Sequence, residues 1–111
     1  MTSMTTIDRH TFDERLGSTP GILLVDFTAE WCPPCRALAP VLEQLDAETD
    51  DLTVVSVDVD TEPELAARFG VMSFPTMLFF VAGEPVHRLV GARGLGSLRE
   101  ELVRVRAAAE S

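Results

Sequence analysis

Val25-Asp26-Phe27-Thr28-Ala29-Glu30-Trp31-Cys32-Pro33-Pro34-Cys35 joins the end of an apolar run to a pair of cysteines three positions apart. To its left, Ile22-Leu23-Leu24-Val25-Asp26-Phe27 is almost continuously apolar, which predicts a strand covered on both faces. To its right, Leu38, Val41, Leu42 and Leu45 recur at helical spacing. Pro40 falls inside that helix and predicts a kink. The cysteines therefore sit where a buried strand hands over to an amphipathic helix.

Further out, Val54 to Val59 is β-branched and reads as a second buried strand. The stretch between the two strands is long enough for a helical crossover, so they are expected to run parallel with a right-handed connection. Upstream, Thr11 with Glu14 suggests a capping box for a short helix carrying Phe12 and Leu16 and stopped by Gly17. Thr61-Glu62-Pro63-Glu64 suggests another, with Thr61 as cap, Leu65 and Phe69 inward, and a stop at Gly70. Thr76 to Val81 is a third apolar strand, and Ala82-Gly83-Glu84 turns it into Val86 to Val90 as an antiparallel hairpin. Ser97 with Glu100 caps a last helix whose face is Leu98, Leu102 and Val105. The order βαβ, helix, hairpin, helix predicts an α/β fold with a mixed sheet and helices on both faces. Sites in such sheets form at strand ends.

The chain has 111 residues, which suits one domain over 1–111. Its 46% apolar content excludes wholesale disorder. No apolar run approaches the roughly 20 residues that span a bilayer. A net charge of −9 argues against a nucleic-acid binder and against docking on anionic membranes. Met1 to His10 lacks the basic start and apolar run of a secretory signal, so a cytoplasmic address is expected. Two closely spaced cysteines in such a compartment point to redox or metal chemistry.

A C-x-x-C at a helix start brings its sulfurs within disulfide reach. It also sets the first sulfur among the free N–H groups and positive dipole of the helix N-terminus, which favour the attacking thiolate. Cys32 is thus the expected nucleophile, and Cys35, one turn in and deeper, the resolving thiol. A structural zinc site needs four ligands, and only His10 and His87 remain as further candidates. Haem attachment needs a histidine after Cys35, where Arg36 stands. Asp26, between Val25 and Phe27, is expected to have its pKa raised by burial and to move protons near neutrality. The plainer alternative is a carboxylate at a strand end with a local hydrogen bond. Proline opening a strand, as Pro75 does in Phe74-Pro75-Thr76, is ordinary, and the residues alone favour a trans bond there.

Taken with Phe74-Pro75-Thr76 and Val90-Gly91-Ala92, the opening stretch closely resembles the thioredoxin family, and the likeness runs from about Ile7 to Ala107. The resemblance implies a thioredoxin fold with a central mixed sheet of four or five strands and about four helices. It implies that Pro75 is cis and faces the cysteines. It also implies a substrate groove built from Trp31, Pro33, Phe74, Pro75, Gly91 and Ala92. In relatives, backbone beside that proline pairs with an extended substrate segment, a sequence-tolerant mode. Asp26 matches the family's buried acid, which serves the resolving thiol. The implied partners are disulfide-containing proteins and, as electron donor, a flavin-containing, NADPH-dependent thioredoxin reductase. No cofactor or metal of the chain's own is implied, and a monomer is expected.

Three departures stand out. Pro33 replaces the usual glycine, stiffening the turn and removing an N–H near the sulfur. Thr28 stands where an aromatic is typical. Ser56 stands where many relatives carry a lysine near the buried acid, and its loss predicts an Asp26 pKa held higher by desolvation. The expected activity is reduction of protein disulfides by Cys32 and Cys35. The alternatives are a thiol oxidant or isomerase using the same pair, and a thioredoxin-like binding module without turnover.

Overall fold

The computed structural model describes residues 4–110. Among them the chain runs β1 (Thr5–Thr6), α1 (Phe12–Ser18), β2 (Ile22–Thr28), α2 (Pro33–Glu48), β3 (Leu52–Asp58), α3 (Pro63–Arg68), β4 (Thr76–Val81), β5 (Glu84–Val90) and α4 (Leu95–Glu110). One sheet holds the strands in the order β1-β3-β2-β4-β5. β2 pairs parallel with β3 and antiparallel with β4, so it lies at the centre, and Ile22 to Phe27 are all buried.

Strand parity sorts the core. Leu23, Val25 and Phe27 point to one face, where Phe12 of α1, Leu65 and Ala66 of α3, and Val55, Val57 and Phe80 close over them. Ile22 and Leu24 point to the other, against Leu38, Leu42 and Leu45 of α2 and Leu98, Leu102 and Val105 of α4. Phe12 is fully buried and meets Phe69 and Phe80 at 5.4 and 6.0 Å between ring centroids. Each buried side chain of this size contributes roughly 1.5–3 kcal/mol.

The helix boundaries differ from the expected caps. Thr11 precedes α1 but makes no side-chain cap; Asp8 instead takes the N–H groups of His10 and Thr11 on Oδ1 at 2.9 and 3.0 Å. The helix also runs past Gly17 to Ser18. α3 begins at Pro63 with Glu62 before it and no side-chain cap, while the Thr61 hydroxyl donates to the Asp58 carbonyl at 3.2 Å. Ser97 lies inside α4, which starts at Leu95. Ahead of α1 the Asp8 turn takes these N–H groups, with Phe12 N–H donating to the Asp8 carbonyl at 3.0 Å, so a Thr11 box is not needed there. α2 continues unbroken through Pro40. The short β1, on the edge beside β3, has no apolar pattern to betray it.

Where stops were expected from glycine, the geometry agrees at α3 and at the hairpin. Gly70 has φ +65°, and the N–H groups of Gly70 and Val71 donate to the Ala67 and Ala66 carbonyls at 3.1 and 2.8 Å, a Schellman closure of α3. Ala82 and Gly83 both have positive φ, 52° and 81°, which makes the β4–β5 turn a two-residue primed hairpin. Gly21 differs in kind. At φ +71° it enters β2 with the Asp51 backbone oxygen only 2.5 Å from where a Cβ would sit. Gly70 has nothing within 4 Å of that position. Gly70→Ala should therefore cost about 1 kcal/mol for the left-handed backbone alone, and Gly21→Ala about 2 kcal/mol or more. Urea unfolding of the two variants checks the order.

Candidate active site

The turn between β2 and α2 carries the site. Cys32 is the N-cap of α2, in extended backbone, and Pro33 and Pro34 occupy the first helical positions. Both prolines fit there because their fixed φ suits a helix start and no hydrogen bond is lost. They also lack N–H groups. The first N–H inside the helix is therefore that of Cys35, and it donates to Cys32 Sγ at 3.3 Å. The two cysteines form a disulfide with their Cα atoms 5.2 Å apart. Both are buried, Cys35 at 1% exposure and Cys32 at 4%, which matches the expected order of depth.

The Phe74–Pro75 peptide is cis, which overturns the trans geometry favoured by the residues alone and agrees with the resemblance. The Phe74 carbonyl oxygen lies 3.7 Å from Cys32 Sγ. Gly91, at φ +94°, donates its N–H to the Pro75 carbonyl at 2.8 Å. The loop before β4 and the end of β5 are thus held together beside the cysteines. Trp31 is 61% exposed, meets Phe74 edge-on at 6.0 Å, and donates Nε1–H to Asp60 Oδ2 at 2.8 Å. Pro33 and Ala92 are both exposed. Asp60 gave no sequence signal: it sits in an ordinary acidic loop, and only the fold brings it to the indole.

Asp26 lies behind the pair. By parity it points to the α2 and α4 face of the sheet, next to Leu24, and it is 1% exposed. Among the described residues neither of its carboxylate oxygens has a hydrogen-bond partner. Burial alone pushes its pKa up from 3.8 to about 7. The local hydrogen bond that would have made it a plain strand-end carboxylate is not formed. Ser56 is its register partner on β3, and among the described residues no cation bonds to it. Asp26, Thr28 and Cys35 open on one cleft of about 250 Å³, which Ser56 and Asp58 also line. The smaller Thr28 side chain helps leave that space open. His87, one of the two candidate metal ligands, is engaged with Glu101 at 2.9 Å. Among the described residues no group of three or more His, Cys, Asp or Glu could hold a metal ion. No helix there is long and apolar enough to cross a membrane.

A dithiol that closes into a disulfide at the head of a helix, on a mixed sheet with its helices on two faces, defines a thiol–disulfide oxidoreductase. A thioredoxin family model matches residues 3–104. The chain is 53% identical over 81 residues to a thioredoxin of Mycobacterium tuberculosis, covering 72% of this chain and 70% of that one. It is 52% identical over 90 residues to a thioredoxin of Mycolicibacterium smegmatis, covering 78% and 80%. It also matches a bifunctional thioredoxin reductase/thioredoxin of Mycobacterium leprae at 52% over 81 residues, spanning 18% of that longer protein. Among solved structures, a mutant thioredoxin from Halobacterium salinarum superposes with a TM-score of 0.81 at 34% identity, over 89% of this chain and 87% of that one. The chain belongs to the thioredoxin family, has the thioredoxin fold, and is a protein-disulfide reductase of that type.

The unpartnered acid ties stability to pH. A carboxyl whose pKa is higher folded than unfolded binds its proton more tightly in the native state. Its contribution is fully favourable below about pH 4 and is lost as pH rises through about 7. The difference corresponds to about 4 kcal/mol at about 1.4 kcal/mol per pH unit. Asp26→Asn in the oxidised protein should therefore gain stability relative to wild type by up to about 4 kcal/mol between about pH 4 and about pH 8. Denaturant titrations at the two pH values check this; parallel behaviour of the two proteins would remove Asp26 as the cause.

Proposed function

We propose that Cys32 is the attacking thiolate, Cys35 the resolving thiol and Asp26 the group that takes the Cys35 proton. The observation that carries this reading is the Cys35 N–H aimed at Cys32 Sγ, with an unpartnered carboxylate behind the same pair. Cys32 attacks one sulfur of the target disulfide, and the other leaves as a thiolate. Cys35 then gives its proton to Asp26 and attacks Cys32 Sγ. The Cys32–substrate bond breaks, and the second substrate sulfur leaves with its electron pair. Trp31, Pro33, Phe74, Pro75, Gly91 and Ala92 receive the extended segment around the target cysteine.

The proline pair favours the reducing direction. A thiol–disulfide couple becomes oxidising when its thiolate is strongly stabilised, and here Pro33 and Pro34 withhold two N–H groups that could do so. The electron donor in this reading is a thioredoxin reductase; the relative that carries both activities on one chain supports that pairing. The protein acts as a monomer in the cytoplasm, as one domain.

Dithiothreitol-driven insulin reduction should be accelerated by wild type and not by Cys32→Ser, while Cys35→Ser should accumulate the mixed disulfide. Equal acceleration by Cys32→Ser would sink the assignment. The equilibrium potential against glutathione should fall near the about −270 mV typical of thioredoxins, and a value near about −120 mV would make the protein an oxidant. The wild-type rate should level off above about pH 7, where Asp26 is ionised. Asp26→Asn should be slower at and below neutrality and converge with wild type in alkali, where Cys35 ionises unaided. Coincident profiles would take Asp26 out of the mechanism.

A further inference from the structure

One sulfur outside the redox pair is open to solvent. Met72 is 89% exposed, more than any other large apolar side chain among the described residues. Met77 is fully buried and Met4 half-buried. Cys32 and Cys35 are closed into a disulfide and covered. Met72 also stands at the edge of the site. It lines a groove of about 520 Å³ with Trp31, Val59, Pro63, Ala67 and Phe74. Among the described residues Asp60 is the one charged group in that lining, and its Oδ2 accepts the Trp31 Nε1–H at 2.8 Å. Trp31 and Phe74 meet edge-on and are also part of the proposed substrate surface. The groove therefore extends that surface past the indole toward α3.

We propose that Met72 is an oxidation site whose sulfoxide weakens the capture of protein disulfides and leaves the chemistry of the cysteine pair intact. The inference rests on the reading that Trp31 and Phe74 receive the substrate segment. A thioether reacts without ionising, so access decides which methionine is oxidised. The Met72 sulfur gives an electron pair to one oxygen of hydrogen peroxide. The S–O bond forms, the O–O bond breaks, and the second oxygen takes the proton of the first and leaves as water. Sulfur loses two electrons and peroxide gains them. An apolar, adaptable side chain becomes a polar one with a strong acceptor oxygen. The side-chain donor in this lining, the indole N–H, is already committed to Asp60. A protein that covers the groove with apolar surface therefore strips water from the sulfoxide oxygen without replacing it, a cost that the thioether does not impose. A small disulfide that reaches only the cysteines leaves Met72 in water and is reduced as before.

The test treats the disulfide form with hydrogen peroxide and maps the added oxygen by peptide mass spectrometry. The cysteine pair is then reduced with dithiothreitol, the reductant is removed, and single-turnover rates are measured with insulin and with bis(2-hydroxyethyl) disulfide. Met72 should gain its oxygen about tenfold faster than Met4 or Met77. The rate with insulin should then fall about fivefold while the rate with the small disulfide stays the same. Methionine sulfoxide reductase should restore the insulin rate. Met72→Gln should show the insulin defect without peroxide, and Met72→Leu should give equal rates before and after treatment. Oxidation of Met4 as fast as Met72, a parallel loss of both rates, or a fall that persists in Met72→Leu would each overturn the switch. Trp31→Ala tests the surface beneath it and should slow insulin while sparing the small disulfide. If Trp31→Ala does so and the sulfoxide protein keeps its insulin rate, the switch is wrong and the substrate surface stands. If Trp31→Ala also matches wild type on insulin, both fail.

Discussion

One amide hydrogen, that of Cys35, is the contact on which the redox centre depends. It reaches Cys32 Sγ because Cys32 is the N-cap and the helix begins immediately after it. A helix start leaves several N–H groups without partners, and most sequences offer all of them to a nearby anion. Here two consecutive prolines fix the backbone for the helix and remove the first two donors. The sulfur is therefore oriented by one directed bond and by the dipole of a helix that runs from Pro33 to Glu48. In the proposed mechanism this arrangement presents the Cys32 sulfur to one backbone N–H, that of Cys35.

The second constraint is the cost of Asp26. A carboxylate with no partner inside an apolar layer is unfavourable, and most buried polar groups avoid that state. The fold tolerates it because both sheet faces are well filled. Phe12, Phe27, Phe79 and Phe80 are fully or almost fully buried, as are Leu38, Leu42 and Leu45. Stability held in those layers offsets the cost of burying an acid whose pKa burial raises. Exposed ion pairs such as Arg99–Glu48 and Arg106–Asp51 tie α4 to the end of α2 and the loop before β3, but single pairs of this kind contribute only about 0–1 kcal/mol. They fix where α4 lies more than they stabilise it.

The proposed substrate side shows the same reliance on a few contacts. Trp31 is mostly exposed, yet its indole is held by Asp60 and by the edge of Phe74. A large aromatic that is fixed before binding loses little freedom when a partner arrives. Gly91 ties the end of β5 to the cis-prolyl loop through a single hydrogen bond to Pro75. The proposed recognition surface and the cysteine pair therefore lie on segments from different parts of the chain, brought together at one end of the sheet.

The sequence by itself determined the elements whose cause is local. The apolar run of β2, the helical spacing of Leu38, Leu42 and Leu45, the glycine closing α3 and the two-residue turn before β5 follow from periodicity and backbone preference. The Cys32-Pro33-Pro34-Cys35 chemistry follows from a spacing of three. The proposed capping pairs failed for reasons that local sequence does not carry: the Asp8 turn already takes the N–H groups ahead of α1, and α4 begins at Leu95, before Ser97. Tertiary structure alone decided the cis bond before Pro75, the hold of Asp60 on Trp31, the lack of any partner for Asp26 and its alignment with Ser56 and Thr6. Each of these depends on how segments far apart in the chain are brought together. Strand register is fixed when whole hydrophobic faces meet, and no single stretch of residues carries that information.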